Sequence, residues 1–201
     1  MKKFKVLKIV LAAGESKRFG TKNKLLELLN EKTILENTLE NLLRICNPNE
    51  ILAITGYENK KIERLLKKYN VQFSFNKFFF NGIGSSISHA LKMNKSCING
   101  VMIIPADMPL ISPKDYEVIL HAFQSQKYRK IICPRNDGKN GNPLILPKSC
   151  FDLLISLNKD EGAKQQLPIK KFFFVKTGIG TTFDIDSKND LDRAKLLMKE
   201  L

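Results

Sequence analysis

Short apolar runs alternate along the chain with segments whose apolar residues recur at helical spacing. The short runs predict strands at residues 4–12, Ile51–Thr55, Val71–Phe75, Val101–Ile104, Arg129–Cys133, Leu144–Leu146, Phe172–Val175 and Thr182–Ile185. The helical spacing predicts helices at Thr33–Ile45, Lys60–Tyr69, Ser85–Met93, Pro113–Phe123 and Ser187–Glu200. Strands separated by helices in this rhythm are typical of parallel βαβ units. The pattern therefore predicts an α/β fold, a three-layer sandwich with a mainly parallel central sheet.

The second half of the chain has shorter strands and more loops than the first. We expect it to form a small antiparallel appendage over one edge of the sheet. Its loopiest stretch, Arg135–Pro143, reads as a flap. Two helix starts are marked more sharply. Thr33 is followed three residues later by Glu36, as in a capping box, and Ser112 precedes Pro113 at a first helical position.

Length and composition fit one folded domain spanning residues 1–201. Hydrophobic residues make up 43% and charged residues 27% of the chain, which excludes wholesale disorder. No apolar stretch reaches the ~18 residues of a membrane span. Lys8 interrupts the apolar run that follows a signal-like Lys2-Lys3-Phe4-Lys5. The four cysteines lie far apart, which excludes a disulfide scaffold and a zinc ribbon. We therefore expect a cytoplasmic protein with no membrane partner.

The chain carries a formal net charge of +14. Such a charge suits a polyanionic partner, and a nucleic-acid-binding module is one hypothesis. The lysines are scattered, however, without the aromatic interleaving or the continuous stripe of basic nucleic-acid modules. The pattern favours solvated helix faces and disfavours nucleic acid, while the field would still help to attract a phosphate-rich ligand.

Polar residues follow the first strand at the place where an open α/β sheet binds its ligands. Ala12, Ala13 and Gly14 let a backbone approach a ligand closely, and Arg18 and Lys24 add positive charge for a polyphosphate. The spacing matches neither a Walker A loop nor G-x-G-x-x-G. From spacing alone, a phosphate-binding loop and a structural turn are equally good interpretations.

Carboxylates follow two further strands. Asp107 comes directly after a buried run and between two prolines, and Asp184 and Asp186 lie two residues apart near the end of the chain. Carboxylate oxygens are the ligands that Mg²⁺ prefers. We expect His89 and His121, the cysteines and most of the phenylalanines to be structural. Phe80 alone among the phenylalanines is a candidate for a pocket rim.

Six blocks of residues occur in order along nearly the whole chain. They are Leu11-Ala12-Ala13-Gly14-x-Ser16-x-Arg18-Phe19-Gly20 with Lys24-Leu25-Leu26, Asn81-Gly82-Ile83-Gly84-Ser85-Ser86-Ile87, Pro105-Ala106-Asp107-Met108-Pro109, Gly141-Asn142-Pro143, Lys159-Asp160-Glu161-Gly162-Ala163-Lys164 and Asp184-Ile185-Asp186-Ser187-x-x-Asp190-Leu191. Together they resemble the nucleotidyltransferases of the GT-A-like type, and within these the molybdenum cofactor cytidylyltransferase family. Lys159 and Lys164 depart from the glycine and arginine of that family's G-D-x-G-A-R block. Guanylyl relatives tend to carry a second glycine where this chain has Ala13.

The resemblance implies a Rossmann-like nucleotidyltransferase fold and a Mg²⁺-dependent transfer of CMP from CTP to molybdopterin, with release of pyrophosphate. It implies a nucleotide site made of Leu11, Ala12, Ala13, Gly14, Ser16, Arg18, Lys24, Gly82, Ser85, Ser86 and Asp107. It makes Arg18, Lys24 and Asp107 catalytic, and makes Asp107 with Asp184 or Asp186 the metal ligands. The acceptor site would contain Asn142, Asp160, Gly162 and Ala163. A molybdoenzyme or its chaperone is the implied protein partner.

Three alternatives stay open. A sugar-phosphate or alditol-phosphate nucleotidyltransferase would use the same chemistry on another acceptor. A nucleic-acid-binding module would show a steep dependence of affinity on salt and would not need Asp107. A binding protein without turnover is the third alternative, and the presence of Arg18, Lys24 and Asp107 argues against it.

Overall fold

The structure of the protein is a computed structural model that describes residues 5–20, 22–94, 98–156 and 167–200. The strands in these ranges are β1 (Val6–Ala12), β2 (Leu28–Leu29), β3 (Lys32–Thr33), β4 (Ile51–Thr55), β5 (Gln72–Phe75), β6 (Gly100–Pro105), β7 (Ile131–Asn136), β8 (Lys139–Asn140), β9 (Leu144–Pro147) and β10 (Phe172–Lys176). The α-helices are α1 (Ile34–Leu43), α2 (Asn59–Lys68), α3 (Ile83–Asn94), α4 (Pro113–Ser125), α5 (Phe151–Ile155) and α6 (Lys188–Glu200).

The main sheet has the strand order β10-β7-β9-β6-β1-β4-β5, and β8 pairs with β7. Strand β1 is parallel to both of its neighbours, β4 and β6, and β4 is parallel to β5. Strand β9 runs antiparallel between β6 and β7, while β10 is parallel to β7. Strands β2 and β3 form a separate antiparallel hairpin. The predicted mainly parallel sheet with a small antiparallel part is confirmed. The separate antiparallel part is the β2–β3 hairpin of the first half, however, and the strands of the second half join the main sheet.

Helices cover both faces of this sheet. Alternate residues of β1 point to opposite faces, so Val10 packs in one core with α1, α2, α4 and α6, and Ile9 packs in the other with α3 and α5. Leu39 on the first face and Leu91 on the second are fully buried. Both predicted helix caps are present, with Thr33 and Glu36 bonded reciprocally at α1 and a like pair at α4. The three-layer α/β sandwich is confirmed.

The first strand contains a buried lysine whose charge is paired with a carboxylate. Lys8 is 4% exposed, and its Nζ lies 2.6 Å from a carboxylate oxygen of Glu50. A buried charge is tolerated when it is paired in this way, so Lys8 can interrupt the apolar run without ending β1. None of the helices in the described ranges is long and apolar enough to cross a membrane.

Two predictions of local structure were wrong. Residues Thr182–Ile185 do not form a strand, because Ile179–Thr182 is a 3₁₀ turn and the next residues lie against the end of β6. The stretch Arg135–Pro143 is not an open flap but largely a β7–β8 hairpin. Asp137 and Gly138 both have positive φ at its tip, as a type I′ turn requires. The Asp-Gly pair in the sequence was the signal for that hairpin.

Candidate functional site

Two neighbouring strands bring the predicted site residues to one edge of the sheet. Leu11 of β1 is paired with Pro105 of β6 in parallel register, so the residues after each strand emerge side by side. A cavity of about 390 Å³ opens at this carboxyl edge. That volume lies within the ~300–1,000 Å³ of small-molecule sites. Gly14 and Asp107 both line it, as the predicted fold required.

Most of the predicted nucleotide and metal residues line this cavity. They are Leu11, Ala13, Gly14, Ser16, Arg18, Lys24, Gly82, Ser86, Asp107 and Asp186. Ala12, Ser85 and Asp184 are absent from its wall. Ala12 is buried within β1, and Asp184 is exposed outside the cavity. Ser85 bonds to the backbone of the preceding turn instead, through the carbonyl oxygens of Phe78 and Gly82.

An ion-pair network forms the floor of the cavity. The Nζ of Lys24 lies 2.6 Å from Oδ2 of Asp107 and 2.7 Å from Oδ1 of Asp186. The second oxygen of Asp186 forms an ion pair with Nη2 of Arg18, at 2.7 Å. Lys24 is largely enclosed, whereas the Arg18 side chain is 76% exposed. Lys24 is thus the fixed cation of the site, and Arg18 is the one that can move toward a ligand.

The network shifts the ionisation of its members. Burial would lower the pKa of Lys24, but the Asp107 and Asp186 carboxylates outweigh it and hold that pKa above its ordinary value. Burial would raise the pKa of Asp186, and the Lys24 and Arg18 cations reverse this and keep it low. Asp184 is exposed on its outer side, but partial desolvation on its inner side and the charges of Asp186 and Asp107 together raise its pKa. Lys24 therefore stays protonated and Asp186 stays ionised near neutral pH.

A single backbone hydrogen bond brings the C-terminal carboxylates to Asp107. The N–H of Ile185 donates to the carbonyl of Asp107 at 3.0 Å. The turn just before it passes so close to residue 110 that a Cβ on Gly180 would lie 1.9 Å from the carbonyl oxygen of Leu110. Only glycine fits there. Gly180 is therefore a site-building residue that sequence reasoning missed, although the Gly178-Ile179-Gly180 pattern was its signal.

Local hydrogen bonds in the loop after β1 place Lys24. Ser16 has a left-handed backbone, with φ of 57°, and its Oγ accepts from the N–H of Lys24 at 3.2 Å. Asn23 is buried, and its side chain accepts from the N–H of Leu25. These bonds fold the loop back on itself, so that the Lys24 side chain projects under the loop toward Asp107.

The carboxyl donors fit a magnesium ion that is shared with a ligand. Oδ1 of Asp107 is buried and has no hydrogen-bond partner among the described residues, which leaves one hard oxygen available. No group of three His, Cys, Asp or Glu side chains in the described ranges could hold a metal. Mg²⁺ commonly takes one or two carboxylates and completes its shell with water and phosphate. Asp107 and Asp186 match that mode of binding.

The predicted acceptor residues are described only in part. Leu144 of β9 is paired with Ile103 of β6 in antiparallel register, so the residues before Leu144 run beside the carboxyl end of β6. The N–H of Asn142 donates to the carbonyl of Thr181 at 2.8 Å, close to the C-terminal carboxylates. Asp160, Gly162 and Ala163 lie outside the described residues.

A second cavity, of about 560 Å³, opens at the opposite end of the sheet. Its charged residues include Lys8 and Glu50, which are already paired with each other. It is larger than the first cavity, but its described lining residues include no group of cations and carboxylates comparable to the Lys24 network. Volume alone therefore does not make it the functional site.

The protein is an α/β domain of the Rossmann-like nucleotidyltransferase type. This follows from its fold and from the loop, the cations and the carboxylates at the carboxyl edge of the sheet. The chain belongs to the family of MobA-like NTP transferase domains, which matches residues 8–170. The bifunctional protein GlmU of Francisella tularensis subsp. novicida (strain U112) is 31% identical over 110 residues, which are 54% of this chain and 23% of that protein. The match thus spans about a quarter of that relative.

Several solved structures share the fold at low identity. Rv0371c from Mycobacterium tuberculosis H37Rv has a TM-score of 0.81 and 20% identity over 98% of this chain and 100% of that chain. The structure of its complex with manganese has a TM-score of 0.76 and 18% identity over 96% of this chain and 98% of that chain. 4-diphosphocytidyl-2C-methyl-D-erythritol synthase from Anaerococcus prevotii DSM 20548 has a TM-score of 0.74 and 15% identity over 98% of this chain and 96% of that chain. Molybdopterin-guanine dinucleotide biosynthesis protein A from Archaeoglobus fulgidus has a TM-score of 0.70 and 20% identity over 98% of this chain and 100% of that chain.

The predicted resemblance is confirmed at the level of the nucleotidyltransferases. The neighbours include one protein named for a cytidyl product and one named for a guanine dinucleotide. The narrower prediction of a molybdenum cofactor cytidylyltransferase therefore stays a prediction.

Proposed function

We propose that the protein is a nucleotidyltransferase that transfers CMP from CTP to a phosphate of molybdopterin and releases pyrophosphate. The observation that carries this proposal is the network of Arg18, Lys24, Asp107 and Asp186 on the floor of the cavity. Transfer of a nucleotidyl group needs alignment and charge neutralisation more than covalent help from the protein. A site of glycine, cations and carboxylates supplies these.

The residues of the chain divide the work. Lys24 and Arg18 would neutralise the triphosphate, and the small residues Ala13 and Gly14 let the loop backbone approach the nucleotide. Asp107 and Asp186 would hold Mg²⁺. When bound, that ion would offset the charge that builds up on the entering and leaving oxygens. Asp186 suits this role better than Asp184, since it lines the cavity.

The proposed reaction is a single displacement at phosphorus. A phosphate oxygen of the acceptor attacks the α-phosphorus and forms the new P–O bond. The bond from the α-phosphorus to the bridging oxygen of the β-phosphate breaks, and the electron pair leaves with pyrophosphate. Lys24 stays protonated near neutral pH because of its raised pKa. It can therefore donate to the phosphate oxygens throughout the step.

The acceptor half of the site is assigned from the position of Asn142 and from the sequence resemblance. Asn142 lies at the carboxyl end of β6, on the side of the cavity away from β5. That position suits a residue that meets the second substrate. Molybdopterin itself comes from the sequence resemblance, and the structural neighbour named for molybdopterin-guanine dinucleotide biosynthesis supports it.

An alditol phosphate or sugar phosphate is the second candidate acceptor. One structural neighbour is named as a diphosphocytidyl-methyl-erythritol synthase, which favours cytidylyl transfer to such a compound. Both candidate acceptors need the same nucleotide half of the cavity. The residues of the acceptor half would therefore determine which of the two acceptors binds.

A pyrophosphate-release assay separates these hypotheses. It would compare the four nucleoside triphosphates in the presence of Mg²⁺ with molybdopterin, with an alditol phosphate, with a sugar phosphate, or with no acceptor. We expect release that needs both CTP and molybdopterin. Release only with an alditol or sugar phosphate would establish the second candidate. No release with any pair would contradict nucleotidyl transfer to these acceptors.

A further inference from the structure

An aromatic side chain lies at the mouth of the cavity, edge to face with the rings of Phe78 and Phe79 on the same turn. Phe80 is 65% exposed, yet it lines the cavity. Phe78, on the same turn, is 51% exposed and does not line it. A phenylalanine ring that faces both solvent and a polar cavity leaves much apolar surface wetted. That surface is available to a ligand.

The turn that carries Phe80 is held firmly in place. The neighbouring Phe79 packs so tightly on Gly56 that a Cβ there would lie 2.6 Å from the Phe79 ring. Asn76 is buried, accepts from the N–H of Phe78 at 3.0 Å, and donates to the hydroxyl of Ser86 at 3.2 Å. The Phe80 ring meets Phe79 edge to face, with 6.0 Å between centroids. Phe80 is thus presented in advance of binding, which reduces the entropy lost when a ligand binds.

The strand order tells which part of a nucleotide reaches this ring. The charged floor follows β1 and β6, whereas the turn with Phe80 joins β5 to α3 on the opposite side of β1. A triphosphate over Lys24 and Asp107 therefore leaves the nucleoside to extend toward Phe80. The acceptor approaches from the side of β9, away from this turn.

We propose that Phe80 stacks on the nucleobase and forms the aromatic wall of the base pocket. This inference rests on the proposed function, because it requires a nucleoside triphosphate in the cavity. Stacking on an aromatic side chain tolerates every base. Phe80 therefore contributes affinity for the nucleoside, while the choice between bases falls to other residues such as Ala13.

The test compares CTP with inorganic tripolyphosphate, which has the phosphates but no base. Calorimetric titrations with Mg²⁺ would give the Kd of each for the wild type, Phe80→Ala, Phe80→Tyr and Phe75→Ala. We expect Phe80→Ala to weaken CTP binding about 5- to 100-fold, the range of aromatic–base stacking, and to leave tripolyphosphate binding unchanged. Phe80→Tyr should bind CTP like the wild type, because it keeps an aromatic face. Phe75→Ala is the control: Phe75 is an exposed phenylalanine at the end of β5 that does not line the cavity, so its removal should change neither Kd.

The other outcomes overturn the proposal. Equal losses for CTP and tripolyphosphate would mean that the substitution disturbs the turn. The proposal would also be refuted if Phe80→Ala kept the CTP affinity of the wild type, or if it weakened the binding of molybdopterin and not that of CTP. A wild type that binds no nucleoside triphosphate would refute it as well. If the selective loss of CTP affinity occurs but no acceptor yields pyrophosphate, the stacking role stands and the proposed reaction fails.

Discussion

The Nζ of Lys24 lies 2.6 Å from Oδ2 of Asp107, a residue 83 positions later in the chain. The same ammonium lies 2.7 Å from Asp186, so one cation neutralises two carboxylates that come from distant parts of the sequence. The Lys24 and Asp107 side chains are only 13% and 20% exposed, which limits screening by solvent. Lys24 thus pairs with both of the carboxylates that we propose as metal ligands, and we expect it to compete with a metal ion for them.

We expect Lys24→Met to raise the Mn²⁺ affinity of the nucleotide-free protein by at least ~10-fold. Two unit charges about 4 Å apart repel by roughly 4 kcal/mol at an effective dielectric constant of about 20, and a divalent ion about doubles that repulsion. The substitution removes this repulsion at similar side-chain length. Electron paramagnetic resonance of free Mn²⁺ would measure the affinity. The control is Lys22→Met, since Lys22 is exposed and pairs only loosely with Glu27, at 3.7 Å. If both variants bind Mn²⁺ like the wild type, Lys24 does not compete for the carboxylates.

Asp107→Asn should lower turnover at least ~100-fold, because losing a charge that holds the metal removes several kcal/mol of transition-state stabilisation. Folding should change little, because Lys24 keeps Asp186 as an ion-pair partner and asparagine has nearly the same shape; among the described residues Oδ1 of Asp107 has no hydrogen-bond partner to lose. Pyrophosphate release and thermal unfolding would measure the two effects.

The neighbouring carboxylates provide the comparison for Asp107. Asp186→Asn should also lose much of the activity, and Asp184→Asn should lose less, because only Asp186 lines the cavity. Near-normal activity of Asp107→Asn at limiting Mg²⁺ would show that Asp107 is not a metal ligand. A larger loss in Asp184→Asn than in Asp186→Asn would exchange the roles of that pair.

Triphosphate binding should discriminate between the basic residues of the first loop. Lys24→Ala should weaken CTP binding by ~10- to 100-fold, since hydrogen bonds to charged groups contribute about 1.5–3 kcal/mol. Arg18→Ala should weaken CTP binding less than Lys24→Ala, because the Arg18 side chain is 76% exposed and its charge is screened by water. Lys22→Ala should bind CTP like the wild type. Equal losses in all three variants, measured by calorimetry, would favour a diffuse basic surface over a specific clamp.

The sequence predicted those parts of the fold and the site that depend on local pattern. Strand β4 has the predicted bounds, and the capping box at Thr33 is where the spacing placed it. The loop after β1 and Asp107 were expected at one edge of the sheet, since both follow buried parallel strands. The structure places them around one cavity.

The remaining features depend on contacts between distant segments. No local pattern shows that Ile185 bonds to the carbonyl of Asp107, or that Gly180 packs on the backbone of Leu110. These contacts override the strand-like pattern of Thr182–Ile185 and bring Asp186 to Lys24. The partners of Lys24 were unpredictable for the same reason. Phe80 was expected only as a rim candidate, because its exposure depends on how Phe79 packs on Gly56.

Ala13→Gly should reduce the preference for CTP over GTP. Ala13 lines the cavity and is 6% exposed, and its carbonyl accepts from the N–H of Tyr57 at 3.1 Å, so its backbone is held in place. Removing its methyl group would open space on the base side without moving the loop. A steric change of this size is worth about 1–3 kcal/mol, or ~10- to 200-fold. We expect a loss of selectivity near the lower end of that range, because other contacts also read the base.

Ala12→Gly is the matched control for this substitution. Ala12 precedes Ala13 directly and is buried, but it does not line the cavity, so its replacement adds the same backbone freedom without enlarging the pocket. Calorimetric titration of CTP and GTP against the three proteins with Mg²⁺ gives the ratio of affinities for each. A fall in the ratio for Ala13→Gly alone supports a steric reading of the base. An equal fall in both variants would assign the effect to loop flexibility, and a wild type that prefers GTP would contradict the cytidylyl assignment while leaving the Asp107 site intact.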